Sequence, residues 1–264
     1  MKAPRRFGSL AVFLIAAAGL ASWGRMGLLN PVEMGQALAR LGEFASALFP
    51  PHTGSLPTLA GAMLETVEIS FAGTLLGFCL SLPLAFLGTR GLFAPGVTAL
   101  ARLAIGGVRT VPSILWGVIF VVAFGLGPAA GAAGVGLYTV GYLGKLFYEA
   151  FEAVDVEVLE AVKSASRNRL QLFAYAILPE SANAVLSQLL FMFEYNIRAS
   201  AIMGFVGAGG IGYYMLGYVQ LLQYRHLFTA LLLTFVVVMA VDAMSLRLRA
   251  ACCHPGSEPK WPRH

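Results

Sequence analysis

The sequence predicts an all-α polytopic membrane protein with six transmembrane helices, and three observations carry that prediction. Of 264 residues, 58% are hydrophobic and only 12% are charged, with a mean hydropathy of +0.76. A water-facing domain averages about 25% charged residues, so this chain has too few to coat a solvated surface of its size. The charges are also missing in blocks, since Ile69 to Thr89 and Thr110 to Gly144 contain none. Apolar runs of about 20 residues reach across a hydrocarbon core of about 30 Å as helix. Finally, the basic residues gather on alternate connections, as a membrane topology requires. A soluble chain would have to bury several such helices on every side within one modest domain.

The spans follow in order. The first is expected over Ser9 to Trp23, after Lys2, Arg5 and Arg6. A basic start, an apolar stretch and Ala-rich residues also describe a cleaved signal peptide; a polytopic chain needs none, so a retained anchor is expected. The second span covers about Thr66 to Gly88 and the third about Pro112 to Leu126. Gly127-Pro128 breaks the helical pattern and turns the chain into the fourth, about Ala129 to Phe151. The fifth covers about Ser181 to Gly204 and the sixth about His226 to Leu246. Two amphipathic stretches lie outside the spans. Met34, Leu38, Leu41, Ala45 and Leu48 share one face of a helix expected at the outer interface. Arg102 and Arg109, seven apart, share a face of the helix leading to Pro112 and are expected to snorkel to inner head groups.

Thirteen of the 18 Lys and Arg residues fall on one set of flanks, against Arg25, Arg40 and Arg225 on the other. Cytoplasmic flanks retain positive charge, so both termini are expected inside. The net charge of +5 is then a record of topology and not a nucleic-acid footprint. Cys79 lies within an apolar span and Cys252-Cys253 near the C-terminus, with no CxxC and no His-rich spacing, so neither a disulfide framework nor a metal site is indicated.

The most polar internal stretch is Glu152 to Pro179, EAVDVEVLEAVKSASRNRLQLFAYAILP. Val156, Leu159, Val162, Leu170 and Phe173 give it an apolar pattern that must be buried on the bilayer or in a partner's groove. Pro179 is expected to end this segment just before span five. Glu160-Ala161-Val162, Ser166 four positions on, and the closing Leu178-Pro179 resemble the EAA loop of bacterial ABC importer permeases. Ser166 stands where that motif has Gly, and Ala176 where it has Ile. The resemblance implies an ABC importer type I permease fold. It also implies that Glu160, Ala161, Ser166, Arg167, Leu178 and Pro179 dock into a cytoplasmic ATPase subunit, with Glu160 as anchor.

Further motifs narrow the resemblance. Arg109-Thr110-Val111-Pro112, Gly125-Leu126-Gly127-Pro128, Phe193-Glu194-Tyr195-Asn196-Ile197-Arg198-Ala199-Ser200 and Val206-Gly207-Ala208-Gly209-Gly210-Ile211-Gly212 are similar to the phosphonate branch of these permeases. The likeness runs from about Glu65 to Arg249. It implies carriage of a phosphonate or a related phosphorus oxyanion, with phosphite, hypophosphite or phosphate as alternatives.

Glu194 and Arg198 lie four apart inside the fifth span, where an unpaired charge costs about 2.5 kcal/mol or more. They can simply neutralise each other, but intramembrane charges usually face a cavity or another chain. An oxyanion in transit needs a cation and hydrogen-bond donors, which Arg198, Asn196 and Ser200 could supply with Glu194 orienting the arginine. Gly207, Gly209 and Gly212 match GxGxxG, yet a dinucleotide site needs a preceding buried strand and an acid about 20 residues later. Here a membrane helix precedes the run, and Leu231 to Leu233 stand at that distance. Gly207, Gly209 and Gly210 are instead expected to let the backbone turn or re-enter at the outer end of the route.

No Walker A sequence occurs, because the only Gly-Lys pair, Gly144-Lys145, is followed by Leu146. Hydrolysis of ATP, and the binding of it, are therefore expected in a separate subunit, with no cofactor on this chain. The four histidines are scattered and no HExxH or GxSxG occurs, so a membrane enzyme has nothing to point to. A passive scaffold would not need Glu194, Arg198 or the proline-glycine breaks. The expected organisation is an anchor and outer segment over 1–64, a permease domain over 65–249 with its coupling loop at 152–179, and a cytoplasmic tail over 250–264. It would work as a homodimer in the bacterial inner membrane, with an ATPase pair and a periplasmic binding protein.

The topology makes a direct prediction. Single cysteines at Ser166 and Thr53 should be labelled by an impermeant maleimide from opposite sides of the membrane; labelling from one side refutes it.

Overall fold

The computed structural model describes residues 5–27, 29–163 and 168–252. Among them every regular element is helical: α1 (Arg5–Arg25), α2 (Pro31–Ala47), α3 (Leu56–Gly88), α4 (Pro95–Thr110), α5 (Ser113–Phe124), α6 (Pro128–Glu152), α7 (Val156–Lys163), α8 (Arg169–Leu172), α9 (Leu178–Met203), α10 (Ile211–Gln220) and α11 (Tyr224–Cys252). The chain divides into two compact units, Met1–Pro51 and His52–His264. The first holds α1 and α2. Asn30 caps α2 by accepting from the Val32 N–H, and Pro31 follows at a position where no N–H is needed. Met34, Leu38 and Leu41 of α2 are exposed, the apolar face that the sequence pointed to.

In the second unit α6 is the central pillar, packed by α3, α4, α5 and α9, while α11 closes against α9, α3 and α10. Glycines make the central contact possible. A Cβ on Gly73 would lie 2.7 Å from Val135 Cγ1 and 2.9 Å from the Ala132 carbonyl. One on Gly77 would lie 2.5 Å from the Thr139 side chain. Between helices in lipid no hydrophobic effect drives association, so close backbone approach of this kind supplies the contact.

Helices stand at all six places where spans were expected, but the count of six is not reached on length and composition. Thr53–Gly88, Arg169–Val206 and Tyr224–Ala250 are long and apolar enough to cross, and a fourth crossing results if Pro95–Thr110 and Ser113–Phe124, bent by 89°, form one broken span. The apolar part of α1, Val12–Arg25, is short. With 25 residues α6 has the length, but Gly and Ala dominate its first half. A helix sheathed by protein on most sides has no need of lipid-soluble side chains.

The third expected span falls on α5, whose 12 residues reach only about 18 Å and follow α4 after a bend of 89°. One expectation is corrected. Pro179 does not end the coupling segment. Helix runs unbroken from α8 into α9 through a π-turn at Phe173–Ile177, which takes up the register change that a proline lacking its N–H forces on the preceding turn. Both arginines of α4 turn to partners within the chain. Arg102 pairs with Glu152, donates from Nε to the Gly88 carbonyl at 2.7 Å and lies 4.2 Å over the Tyr148 ring. Arg109 lies over Tyr142 at 4.8 Å, folded against α6 at Gly141. Both face α6, as their shared helical face required, and α6 offers them better partners than the bilayer does.

Replacing Gly77 by Val should overpack the α3–α6 contact and cost about 1–3 kcal/mol. The check is a lowered thermal midpoint of the purified chain in detergent; an unchanged midpoint shows that the two helices can part without penalty.

Candidate functional site

The residues singled out on α9 divide between two faces. Asn196 is fully buried and its Nδ2 donates to Thr74 Oγ1 at 2.8 Å and Thr139 Oγ1 at 2.9 Å, joining α9 to α3 and α6 at once. Ser200 is buried one turn on, with its hydroxyl 2.9 Å from that of Ser70. Ser70 also reaches the Asn196 carbonyl at 3.1 Å. Thr66, Ser70 and Thr74, four apart, form a buried hydroxyl seam along α3. Asn196 and Ser200 thus point into the protomer, where the Asn196 Nδ2 and the Ser200 hydroxyl tie three helices together while the Asn196 Oδ1 is buried without a hydrogen-bond partner. The i, i+4 spacing of the hydroxyls on α3 was readable in the sequence, whereas their partners on α6 and α9 were not.

The opposite face of α9 carries the charges. Arg198 Nη1 lies 2.9 Å from Glu194 Oε1, with the arginine side chain 46% exposed and the glutamate 12%. Glu194 is tucked against the protein and holds the guanidinium of the more exposed arginine. Phe191, Ile202 and Phe205 are exposed along the same side. A charged pair on the outer surface of a membrane helix cannot be left to hydrocarbon. This face looks onto water or onto another protein surface.

Beside that face runs a chain of aromatic hydroxyls. Tyr138 on α6 donates to the Tyr195 hydroxyl at 3.0 Å, and Tyr142 stacks beside Tyr138 with ring centres 4.7 Å apart. Tyr195 lies in a motif noted in the sequence, but no motif flagged Tyr138 or Tyr142, because only the packing of α6 on α9 brings the three together.

At the end of α9 the chain turns through Gly204–Val206 into α10. Gly207, Gly209 and Gly210 all have positive φ, between 73° and 88°, a region that β-carbons disfavour. The loop is clamped: the Gly127 N–H donates to the Gly207 carbonyl at 2.9 Å, and the Ile211 N–H donates to Thr66 Oγ1 at 2.8 Å. Beside Gly209 stands the Glu65 carboxylate, 2.7 Å from where a Cβ would be. These glycines therefore close one end of the bundle on α3 and the α5–α6 turn.

The other end carries the coupling candidates. Glu160 and Ala161 are exposed on α7, and Glu160 lines a cleft of about 410 Å³ with Arg90, Glu152, Val156, Leu159 and Leu172. Leu159 and Phe173 pack into the adjacent core, so the apolar face of this segment is only partly free. Leu178 is half-buried and Pro179 exposed at the start of α9. Ser166 and Arg167 lie outside the described residues. Among the described residues no group of three or more His, Cys, Asp or Glu could hold a metal ion.

Comparison with known proteins adds the following. Residues 77–250 match the family described as binding-protein-dependent transport system inner membrane component. The chain is 34% identical over 246 residues to the phosphite transport system permease protein PtxC of Stutzerimonas stutzeri, covering 93% of this chain and 89% of that protein. It is 34% identical over 205 residues to the phosphate-import permease protein PhnE of Mycolicibacterium smegmatis, covering 77% of this chain and 38% of that one. Among solved structures, the inward-facing MetNI methionine ABC transporter superposes with a TM-score of 0.71 at 18% identity, over 77% of this chain and all of that chain.

The two faces of α9 should separate in stability measurements. Asn196→Ala removes two buried hydrogen bonds and should cost about 1–3 kcal/mol. Removing the pair as a whole, Glu194→Ala with Arg198→Ala, should change the thermal midpoint little, because no buried carboxylate is left without its partner. Equal effects would refute the division.

Proposed function

The chain belongs to the binding-protein-dependent transport system inner membrane components, the permease subunits of ABC importers, and on that premise we propose that it carries a phosphorus oxyanion. The observation that supports this reading best is Arg198, held by Glu194 at 2.9 Å on an outward face of a membrane helix. A guanidinium presents planar paired donors that match phosphorus–oxygen groups, and its charge offsets that of the anion. The names of the relatives agree in kind, one being a phosphite and another a phosphate permease. Phosphite, phosphonate, hypophosphite and phosphate share the group that Arg198 would grip.

The route lies between two copies of this chain. A charged face on α9 needs an aqueous or protein surface opposite it, and a second copy related by a two-fold axis supplies one. Glu194 holds the arginine in place, while Asn196 and Ser200 keep α9 fixed to α3 and α6 from behind. The glycine loop at Gly207, Gly209 and Gly210 closes the outer end of the bundle. The end with α7 faces the cytoplasm, as do both termini, and Glu160 enters a cleft on the ATPase. Continuous helix from α8 into α9 then gives a stiff lever, so movement at the ATPase is passed directly to the helix that bears Arg198. ATP is bound by that partner, and an external binding protein delivers the substrate. Closure of the ATPases opens the route outward; hydrolysis returns it inward.

Uptake of radiolabelled phosphite into vesicles holding the permease, its ATPase and its binding protein tests both ends. Glu160→Lys should lower uptake by more than about tenfold, since reversing a buried interfacial charge costs 2 kcal/mol or more. Arg198→Ala should impair it comparably. Normal uptake by the Glu194→Ala, Arg198→Ala double variant would make the pair structural only.

A further inference from the structure

Arg109 was expected at the head groups, and its depth is quite different. It packs against Gly141, where a Cβ would lie 2.6 Å from Arg109 Cγ. Gly141 stands 11 residues before the end of α6 at Glu152 and 13 after its start at Pro128, so it lies about 16 Å from one end and about 20 Å from the other. Arg109 is therefore near mid-depth in the bundle.

Its surroundings do not neutralise it. Arg102 pairs with Glu152 and Arg198 with Glu194, but no carboxylate pairs with Arg109 among the described residues. Its Nε is buried without a hydrogen-bond partner. The face of Tyr142, at 4.8 Å, recovers part of the cost of burying the cation, but a ring quadrupole is weaker than a counter-ion. The backbone beside it is also broken, because α4 ends at Thr110 and α5 begins at Ser113 with a bend of 89°. Irregular backbone at this depth is tolerated where it is buried in protein or lines a cavity, and discontinuous helices recur at transport sites near the bilayer midplane.

Arg109 is also connected to Arg198. Its guanidinium lies over Tyr142, Tyr142 stacks on Tyr138, and the Tyr138 hydroxyl donates to that of Tyr195, one turn from Arg198 on α9. The axial offset between the arginines follows from the contact of Asn196 with Thr139. Arg198 lies two residues beyond Asn196 towards the glycine loop, and Gly141 two residues beyond Thr139 the other way. At ~1.5 Å per residue the two levels along the bundle axis differ by about 6 Å.

The geometry points to Arg109 as a second anion-binding residue, an inner station that receives an oxyanion from Arg198 across the hydroxyls of Tyr195, Tyr138 and Tyr142. This rests on the oxyanion reading above for its cargo. Two cations in succession along one route let an anion leave one as it gains the other, so neither binds it too tightly for passage. Gly141 is needed because any side chain there would displace the arginine from Tyr142.

Trp116 gives a local probe, because its indole N–H donates to the Val108 carbonyl next to Arg109. In the full-length chain with Trp23 and Trp261 changed to Phe, titration with phosphite should give a saturable change in Trp116 fluorescence that chloride does not. Arg109→Gln should weaken it at least tenfold, and Arg109→Lys should fall between, because the charge is kept while the planar fork is lost. Equal affinities in all three chains overturn the inference, as does the absence of a saturable response in the parent. Vesicle uptake is scored separately. A parent that imports phosphite without an Arg109-dependent titration defeats the inner station but not the function. One that titrates through Arg109 yet imports no phosphorus oxyanion defeats the function and leaves the anion site standing.

Discussion

Everything in the second unit depends on how closely α3 can approach α6. In lipid, apolar side chains gain nothing by leaving one hydrocarbon environment for another, so helices associate through close packing and hydrogen bonds. Gly73 and Gly77 bring α3 to within contact of the α6 backbone, and at that distance Thr74 and Thr139 stand near enough to be bridged by one amide. Asn196 then locks α9 to both. Asn196 sits at zero exposure, with both bonds made by its Nδ2 and its Oδ1 left without a partner. The outer face of α9, and with it Arg198, is positioned by that lock on its inner face.

The arginines that pack on the helix bundle fall into two kinds. Arg102 and Glu152 form a pair reinforced by the Gly88 carbonyl and the Tyr148 ring, which joins α4 to the end of α6. Its partners are all internal, and it reads as a clasp. Arg198 has one internal partner and keeps much of its side chain open. Arg109 has an aromatic face and no carboxylate among the described residues. A charge left incompletely satisfied in a low-dielectric setting is costly. The degree of satisfaction thus separates three arginines of the same chemical type.

The segment that joins α7 to α9 shows how a local conflict can be absorbed without breaking a helix. A proline in mid-helix removes one hydrogen bond and presses on the turn before it. The π-turn at Phe173–Ile177 widens that turn and lets the axis continue, while Phe173 and Ile177 remain buried in the core. A flexible hinge at this place would dissipate movement, whereas a continuous helix carries it.

Much was settled by the sequence alone. Charge-free blocks and the distribution of Lys and Arg required a polytopic helical protein, because a bilayer tolerates neither scattered charges nor open backbone. The Glu194–Arg198 pair was legible too, since an i,i+4 pair depends only on helical period. What only the tertiary structure decided concerns neighbours distant in the chain. Asn196, Ser200 and Arg198 lie within five residues, yet which of them faces inward depends on where α3 and α6 lie. Arg102 and Arg109 share a helical face and read alike in the sequence; the first meets Glu152 and the second only Tyr142. The physical reason is that periodicity assigns residues to a face of their own helix, while the level at which another helix crosses that face is set by close packing far away in sequence.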